Sequence, residues 1–217
     1  MNCLLCQREI SCQLQFHELF LLRQPLQNLC QRCLADFQFI SDKHCPRCYQ
    51  STDGSICADC ERWENEENFI VQHEAIFCYN TAMQDFFSNY KFRGDYRLRT
   101  AFAPYFKKIN NFTLVPIPVS ADRFQERGFN QVTAFLDAAK IPYQDILEKS
   151  DTIKQSTLTR AERLQTKNAF SIKKDAVLPR KICLVDDIYT TGATLHHAAM
   201  LLSAAGATEI KSFSLCR

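Results

Sequence analysis

Residues 182–194, Ile-Cys-Leu-Val-Asp-Asp-Ile-Tyr-Thr-Thr-Gly-Ala-Thr, constrain the fold more than any other stretch of this chain. The apolar run Ile182 to Val185 reads as a strand buried on both faces, as in a parallel sheet. Two carboxylates, Asp186 and Asp187, close it, and a hydroxyl-rich loop with one glycine, Gly192, follows. Residues 193–205 then carry Leu195, Ala198, Ala199, Leu202 and Ala205 at helical spacing, with Gly206 where such a helix stops. Strand, anion-binding loop and helix in that order imply an α/β fold: a parallel sheet flanked by helices.

The chemistry follows from the geometry. The first amides of a helix lack intrahelical partners, and the dipole there favours negative charge. A phosphate group suits that place. Thr190, Thr191 and Thr194 add hydroxyl donors beside Ala193, and Gly192 lets the backbone approach closely. Asp186 and Asp187 repel phosphate but accept hydrogen bonds from vicinal hydroxyls one step away. A phosphate beside a diol describes a ribose 5-phosphate. The plainer alternative is a strand–turn–helix whose threonines only cap the helix.

This stretch resembles the phosphoribosyl pyrophosphate (PRPP) loop of type I phosphoribosyltransferases. The resemblance implies that Asp186 and Asp187 hold the ribose 2- and 3-hydroxyls, that residues 190–194 (Thr190, Thr191, Gly192, Ala193, Thr194) cradle the 5-phosphate, and that Mg²⁺ bridges PRPP. Where 6-oxopurine enzymes of that group carry an aspartate base, this chain has Thr190, whose hydroxyl cannot act as a base near neutral pH.

Eight of the twelve cysteines form four Cys-x-x-Cys pairs: Cys3/Cys6, Cys30/Cys33, Cys45/Cys48 and Cys57/Cys60. That spacing presents two thiolates to one ion, so four pairs predict two tetrahedral Cys₄ zinc sites. Sequential pairing is the simplest arrangement; pairing Cys3/Cys6 with a later knuckle is the alternative. Thioredoxin-like redox chemistry needs one such pair on a βαβ scaffold, not four in a row. The segment is too short to bury much surface, so metal is expected to supply its folding free energy. Its insert offers Phe16, Leu19, Phe20, Leu21 and Leu22 as a core or an apolar surface.

Charge divides the chain. Residues 1–70 hold six basic and ten acidic side chains, and residues 71–217 hold twenty and fourteen. Phosphate contacts need Lys and Arg, which argues against nucleic acid on the cysteine-rich part and for protein docking there. No apolar run approaches the roughly 18 residues of a membrane span, and Met-Asn-Cys-Leu-Leu-Cys has no signal-peptide pattern, so a cytoplasmic protein without membrane insertion is expected. Two domains are expected: a zinc-ribbon module over residues 1–66 and the α/β domain over 67–217, with the polar stretch Arg62 to Asn68 as junction.

Along the second domain, residues 69–79 read as a strand or hairpin, 81–90 as a helix, 96–108 as a helix, 113–119 as a strand holding two prolines, and 209–216 as the last strand. Between the first two helices lies the basic turn Lys91-Phe92-Arg93-Gly94-Asp95. Ser120, Arg123 and Arg127 follow the proline strand, the arginines at i and i+4 on one face if helical; a solvated surface helix is the alternative. Residues 155–170 are polar and basic, with Arg160 and Arg163, in the place where phosphoribosyltransferases carry a mobile segment that closes over PRPP.

Taken in order, the cysteine pairs, Lys-Phe-Arg-Gly-Asp, Val-Pro-Ile-Pro, Arg-x-x-x-Arg-Gly-Phe-Asn-Gln, Gln-x-x-Leu-x-Arg-x-x-Arg and the Asp-Asp loop resemble the ComF family of bacterial competence proteins over nearly the whole chain. The resemblance implies a zinc ribbon fused to a type I phosphoribosyltransferase-like domain. It further implies a role in handling incoming single-stranded DNA during natural transformation, and a helicase-like, DNA-translocating ATPase (ComFA type) as partner. Ser120, Arg123, Arg127, Arg160 and Arg163 become candidates for pyrophosphate, phosphate or DNA contact. The competing readings are an active transferase acting on a nucleobase or amine, and a PRPP sensor that binds no DNA.

Overall fold

The computed structural model describes residues 1–10, 28–106, 111–149 and 170–217. In chain order the elements are α1 (Gln31–Ala35), α2 (Ala58–Glu67), β1 (Gln72–Phe77), α3 (Thr81–Lys91), a 3₁₀ turn (Tyr96–Leu98), α4 (Arg99–Phe106), β2 (Thr113–Pro116), α5 (Ala121–Arg127), α6 (Gln131–Ala139), β3 (Leu147–Lys149), β4 (Phe170–Ile172), β5 (Lys181–Ile188), α7 (Ala193–Ala204) and β6 (Glu209–Cys216).

Four strands form a parallel sheet in the order β1-β6-β5-β2, and β3 and β4 pair antiparallel beside it. The apolar run in β5 is continuous because both its faces are covered. Ile182 and Leu184 pack with Leu195, Ala198, Ala199 and Leu202 of α7. Cys183 and Val185 face the other way, toward an aromatic core in which Phe86 of α3, Phe102 and Phe106 of α4 and Phe135 of α6 meet. Gly206 follows α7 with φ at +111°, a conformation glycine adopts without a Cβ penalty.

Each cysteine ribbon combines one knuckle with one helix start. Gln7 and Tyr49, directly after Cys6 and Cys48, are left-handed and close the knuckle turns. Cys30 and Cys57 are the N-caps of α1 and α2. The ribbons are not a detached module. Cys3, Ile10 and Leu29 join the aromatic core on the α3/α4/α6 side. Cys45, Cys48, Cys57 and Cys60 join the α7 side of the sheet.

Three local expectations are corrected. The junction assigned to 62–68 is the second half of α2, ended by Asn68 in a left-handed cap. Its polarity reflects a solvated helix face, while Trp63 on the other face is buried. The helix expected over 96–108 opens as a 3₁₀ turn capped by the Asp95 carboxylate, and α4 follows to Phe106. The proline strand stops at Pro116, at an edge of the described sheet, where a missing N–H is tolerated. The insert with Phe16, Leu19, Phe20, Leu21 and Leu22, and the segment with Arg160 and Arg163, lie outside the described residues.

Candidate functional site

The site forms at the C-terminal ends of the parallel strands, where open α/β sheets bind ligands. Asp186 and Asp187 end β5, each carboxylate accepting the N–H of the following residue, at 2.9 Å in both cases. The last turn of α3 brings Lys91 within 2.5 Å of Asp187 Oδ2, with 13% and 6% of the two side chains exposed. Burial and the adjacent Asp187 charge hold the Asp186 carboxyl well above the usual carboxylate range. The pair lies against the Lys91 ammonium and retains acceptor capacity for hydroxyl groups.

The loop follows. Thr190, Thr191 and Thr194 are exposed and Gly192 is buried as the N-cap of α7, with Ala193 opening the helix. Gly192 has φ at +81°, and a Cβ there would stand 2.1 Å from the Tyr189 hydroxyl. Any side chain at this position is both strained and blocked. The Tyr189 ring lies between His73, with centroids 4.2 Å apart, and the Arg217 guanidinium at 4.4 Å. His73 is kept neutral by burial and the Arg217 charge, and its two ring nitrogens meet the hydroxyls of Ser212 at 2.9 Å and Ser214 at 3.0 Å. The loop thus rests on a packed aromatic floor.

The second ribbon touches the loop directly. The Trp63 indole N–H donates to the Thr191 carbonyl at 2.9 Å, and its ring stacks on His196 with centroids 4.4 Å apart. Arg217 donates to the Thr190 carbonyl and to Gln50 Oε1 at 2.9 Å, and lies 3.7 Å from the Asp59 carboxylate.

The eight predicted cysteines come together in two groups, Cys3/Cys6/Cys30/Cys33 and Cys45/Cys48/Cys57/Cys60, each with its sulfurs within 4.8 Å of one another. Sequential pairing is the arrangement found. A tetrahedron with metal–sulfur distances of about 2.3 Å requires sulfurs about 3.8 Å apart. Cys6–Cys30 at 3.7 Å, Cys45–Cys60 at 3.8 Å and Cys48–Cys57 at 3.5 Å fit it. Backbone N–H groups of Cys30 and Cys57 point at Cys3 Sγ and Cys45 Sγ, as they do toward thiolates. The Cys48 thiol is pulled down to about 5, chiefly by its hydrogen bond with Cys60. The second set is buried throughout, whereas the first leaves Cys6 exposed and Cys30 and Cys33 half-buried; all-sulfur, tetrahedral donor sets of this kind suit Zn²⁺.

Arg123 and Arg127 of α5, capped by Ser120, share a cavity of about 550 Å³ with Lys91, Phe92 and Ile188. Burial and the neighbouring Arg123 charge pull the Arg127 guanidinium below its ordinary value. Burial and Arg123 do the same to Lys149 at the end of β3. Cations held this close invite an anion. A second cavity, about 460 Å³, lies between the second ribbon and the loop, lined by Tyr49, Gln50, Tyr79, Ile188, Thr190 and Arg217 among others.

Sequence reasoning missed Lys91 as a partner of the carboxylates, Trp63, Arg217 and Lys149. Lys91 has a signal in sequence, its place in the basic Lys-Phe-Arg-Gly-Asp turn. Trp63, the lone tryptophan in a polar stretch, is another.

A family model for the phosphoribosyl transferase domain matches residues 98–217. Competence protein ComFC of Streptococcus pneumoniae (strain ATCC BAA-255 / R6) is 45% identical over 221 residues, covering 100% of both chains. Competence protein ComFC of Bacillus subtilis (strain 168) is 35% identical over 227 residues, covering 99% of this chain and 94% of the relative. Among solved structures, the allosteric regulatory enzyme of purine biosynthesis is 22% identical and covers 58% of this chain and 25% of its own, with a TM-score of 0.35.

Proposed function

This chain belongs to the ComFC family of competence proteins and carries a phosphoribosyl transferase domain, and from that premise we propose that it is a cytoplasmic DNA-uptake factor with a PRPP-binding site. The observation that carries the ligand reading is the loop itself: a carboxylate pair followed by exposed hydroxyls and a helix start whose N-cap, Gly192, supplies no side-chain cap. Asp186 and Asp187 take the ribose hydroxyls. Residues 190–194 take the 5-phosphate. Ser120, Arg123, Arg127 and Lys91 would hold the pyrophosphate, and bound Mg²⁺ would supply further positive charge there. Zn²⁺ fills the two cysteine centres.

Calorimetric titration with PRPP and Mg²⁺ tests this. The Asp186→Asn, Asp187→Asn double variant loses the charged acceptor of the pair, worth about 1.5–3 kcal/mol, so affinity should fall by at least about tenfold. Wild-type protein that takes up no PRPP sinks the reading. The Asp186→Asn variant alone should melt higher than wild type at neutral pH. The folded protein holds a proton on Asp186 that the unfolded chain releases, so stability falls as pH rises from the ordinary carboxylate range toward the raised value. An amide removes that dependence.

Handling of single-stranded DNA is supported by the surface around the basic cavity. Phe92 is 78% exposed and Phe124 is 51% exposed, beside Lys91, Arg123 and Arg127. The Arg127 guanidinium lies 5.7 Å from the Phe92 ring. Exposed aromatic faces among cations suit unstacked bases, at about 1–3 kcal/mol per stacked base. Phe92→Ala with Phe124→Ala should weaken oligo-dT binding at every salt concentration. Arg123→Ala with Arg127→Ala should flatten the salt dependence by about 1.4 units, at about 0.7 per contact. Fluorescence anisotropy reads both, and unchanged binding in both variants overturns the DNA assignment. We place the helicase-like ATPase (ComFA type) at the ribbon side, where Glu61, Glu64 and Glu66 line the outer face of α2.

The cavity beside Thr190 favours a second reading, transfer of phosphoribosyl to a nucleobase or amine. Pyrophosphate release when PRPP and candidate bases are mixed with the protein is its readout.

A further inference from the structure

Four consecutive carbonyls of the loop are held from outside it. Arg217 donates to Tyr189 O at 3.5 Å and to Thr190 O. Trp63 donates to Thr191 O at 2.9 Å. The backbone N–H of His196 donates to Gly192 O at 2.9 Å, and its Nδ1 is 3.0 Å from the same oxygen.

This pattern decides where the amides point. In a trans peptide the C=O of one residue and the N–H of the next are directed oppositely, and the structure has no cis peptide among its described residues. Pinning Thr190 O to Arg217 turns the Thr191 N–H away from Arg217. Pinning Thr191 O to Trp63 turns the Gly192 N–H away from Trp63. Among the described residues, the N–H groups of Thr190, Thr191 and Gly192 have no partner. Successive free amides facing one way form a concave anion-binding nest.

Both clamps are anchored in the second ribbon. Trp63 is one helical turn beyond Cys60 on α2, so the position of the cysteine centre sets the position of the indole. Arg217 is held by Gln50 and Asp59, which flank Cys48 and Cys60 in sequence. We propose that Trp63 and Arg217 are positioning residues of the phosphate site, so that the second cysteine ribbon is a working part of the ligand site. Phosphate binding and ribbon order are then coupled in both directions, because coupling free energies are reciprocal.

This inference rests on the reading of the loop as a phosphate site, and its test separates the two. Trp63 is the sole tryptophan, so the protein gives one indole N–H resonance and one emission band. Full-length, metal-loaded protein is titrated with ribose 5-phosphate and with PRPP plus Mg²⁺, by calorimetry and by proton–nitrogen correlation spectra. Ligand at saturation should move the wild-type indole resonance. Trp63→Phe keeps an aromatic ring for His196 and lacks the N–H, and should bind about tenfold more weakly while keeping its metal content. Arg217→Lys, which keeps the charge and loses the fork, should weaken binding to a similar degree and serves where Trp63→Phe does not fold. An indole signal that stays still at saturation, or a folded variant that binds as wild type does, overturns the inference and leaves the ligand reading intact. Wild-type protein that binds neither probe removes the ligand reading itself and this inference with it.

Discussion

Cys48→Ser is expected to lose metal from the second cysteine centre and to lower the melting temperature of the whole protein, not of a ribbon alone. Structural zinc contributes about 10–16 kcal/mol to the folding of small ribbons, comparable to the roughly 5–15 kcal/mol that separates most folded domains from unfolding. The four cysteines of this centre pack in one cluster with Val115, Leu184, Leu195 and Leu202, so the loss spreads into the α7 side of the sheet. Metal content, a thermal melt and tryptophan emission check it together. Emission should move to the red as Trp63 leaves its contact with His196. A melt that keeps its midpoint after complete loss of that metal would show the ribbon to be energetically independent, contrary to the packing.

Lys91→Ala is the second large effect. Asp187 is 5% exposed and has Asp186 beside it. Removing the ammonium 2.5 Å away leaves a buried charge without compensation, at about 3–5 kcal/mol. Lys91→Met should cost nearly as much, since it restores the stem and not the charge. Adding Asp187→Asn to either variant should recover most of the loss, and urea unfolding of wild type, Lys91→Ala, Asp187→Asn and their double variant closes the cycle. Equal losses in the single and double variants would show that Lys91 acts through packing alone.

The parts of this molecule that could be read from sequence are those whose chemistry is contiguous. The Asp-Asp loop announces itself because strand, carboxylates, hydroxyls and helix follow one another without interruption. The cysteine centres were legible because two thiolates on one turn have few other uses, although only the fold excludes the alternative pairing. Trp63 was passed over because composition reports the solvated face of a helix, and nearly every neighbour from 58 to 67 lies on that face. Arg217 and Lys149 carry no local pattern at all. Each gains its place from strands and helices that meet only in three dimensions. Pro116 illustrates the reverse case: a proline donates no ladder hydrogen bond and suits a central strand poorly, and the sheet order places it at an edge.

The pairing of β1 with β6 has a consequence for how the chain is made. His73 and Ser212, which pair across these strands, are 139 residues apart in sequence. On the ribosome, β1 emerges early and has no neighbour in the described sheet until the final strand follows. The knuckles before it are complete once Cys60 is out, and can capture metal while the rest is still being synthesised. Early chelation then holds the segment before β1 compact during a long wait, and the loop at 190–194 gains its frame only when Arg217 joins Trp63.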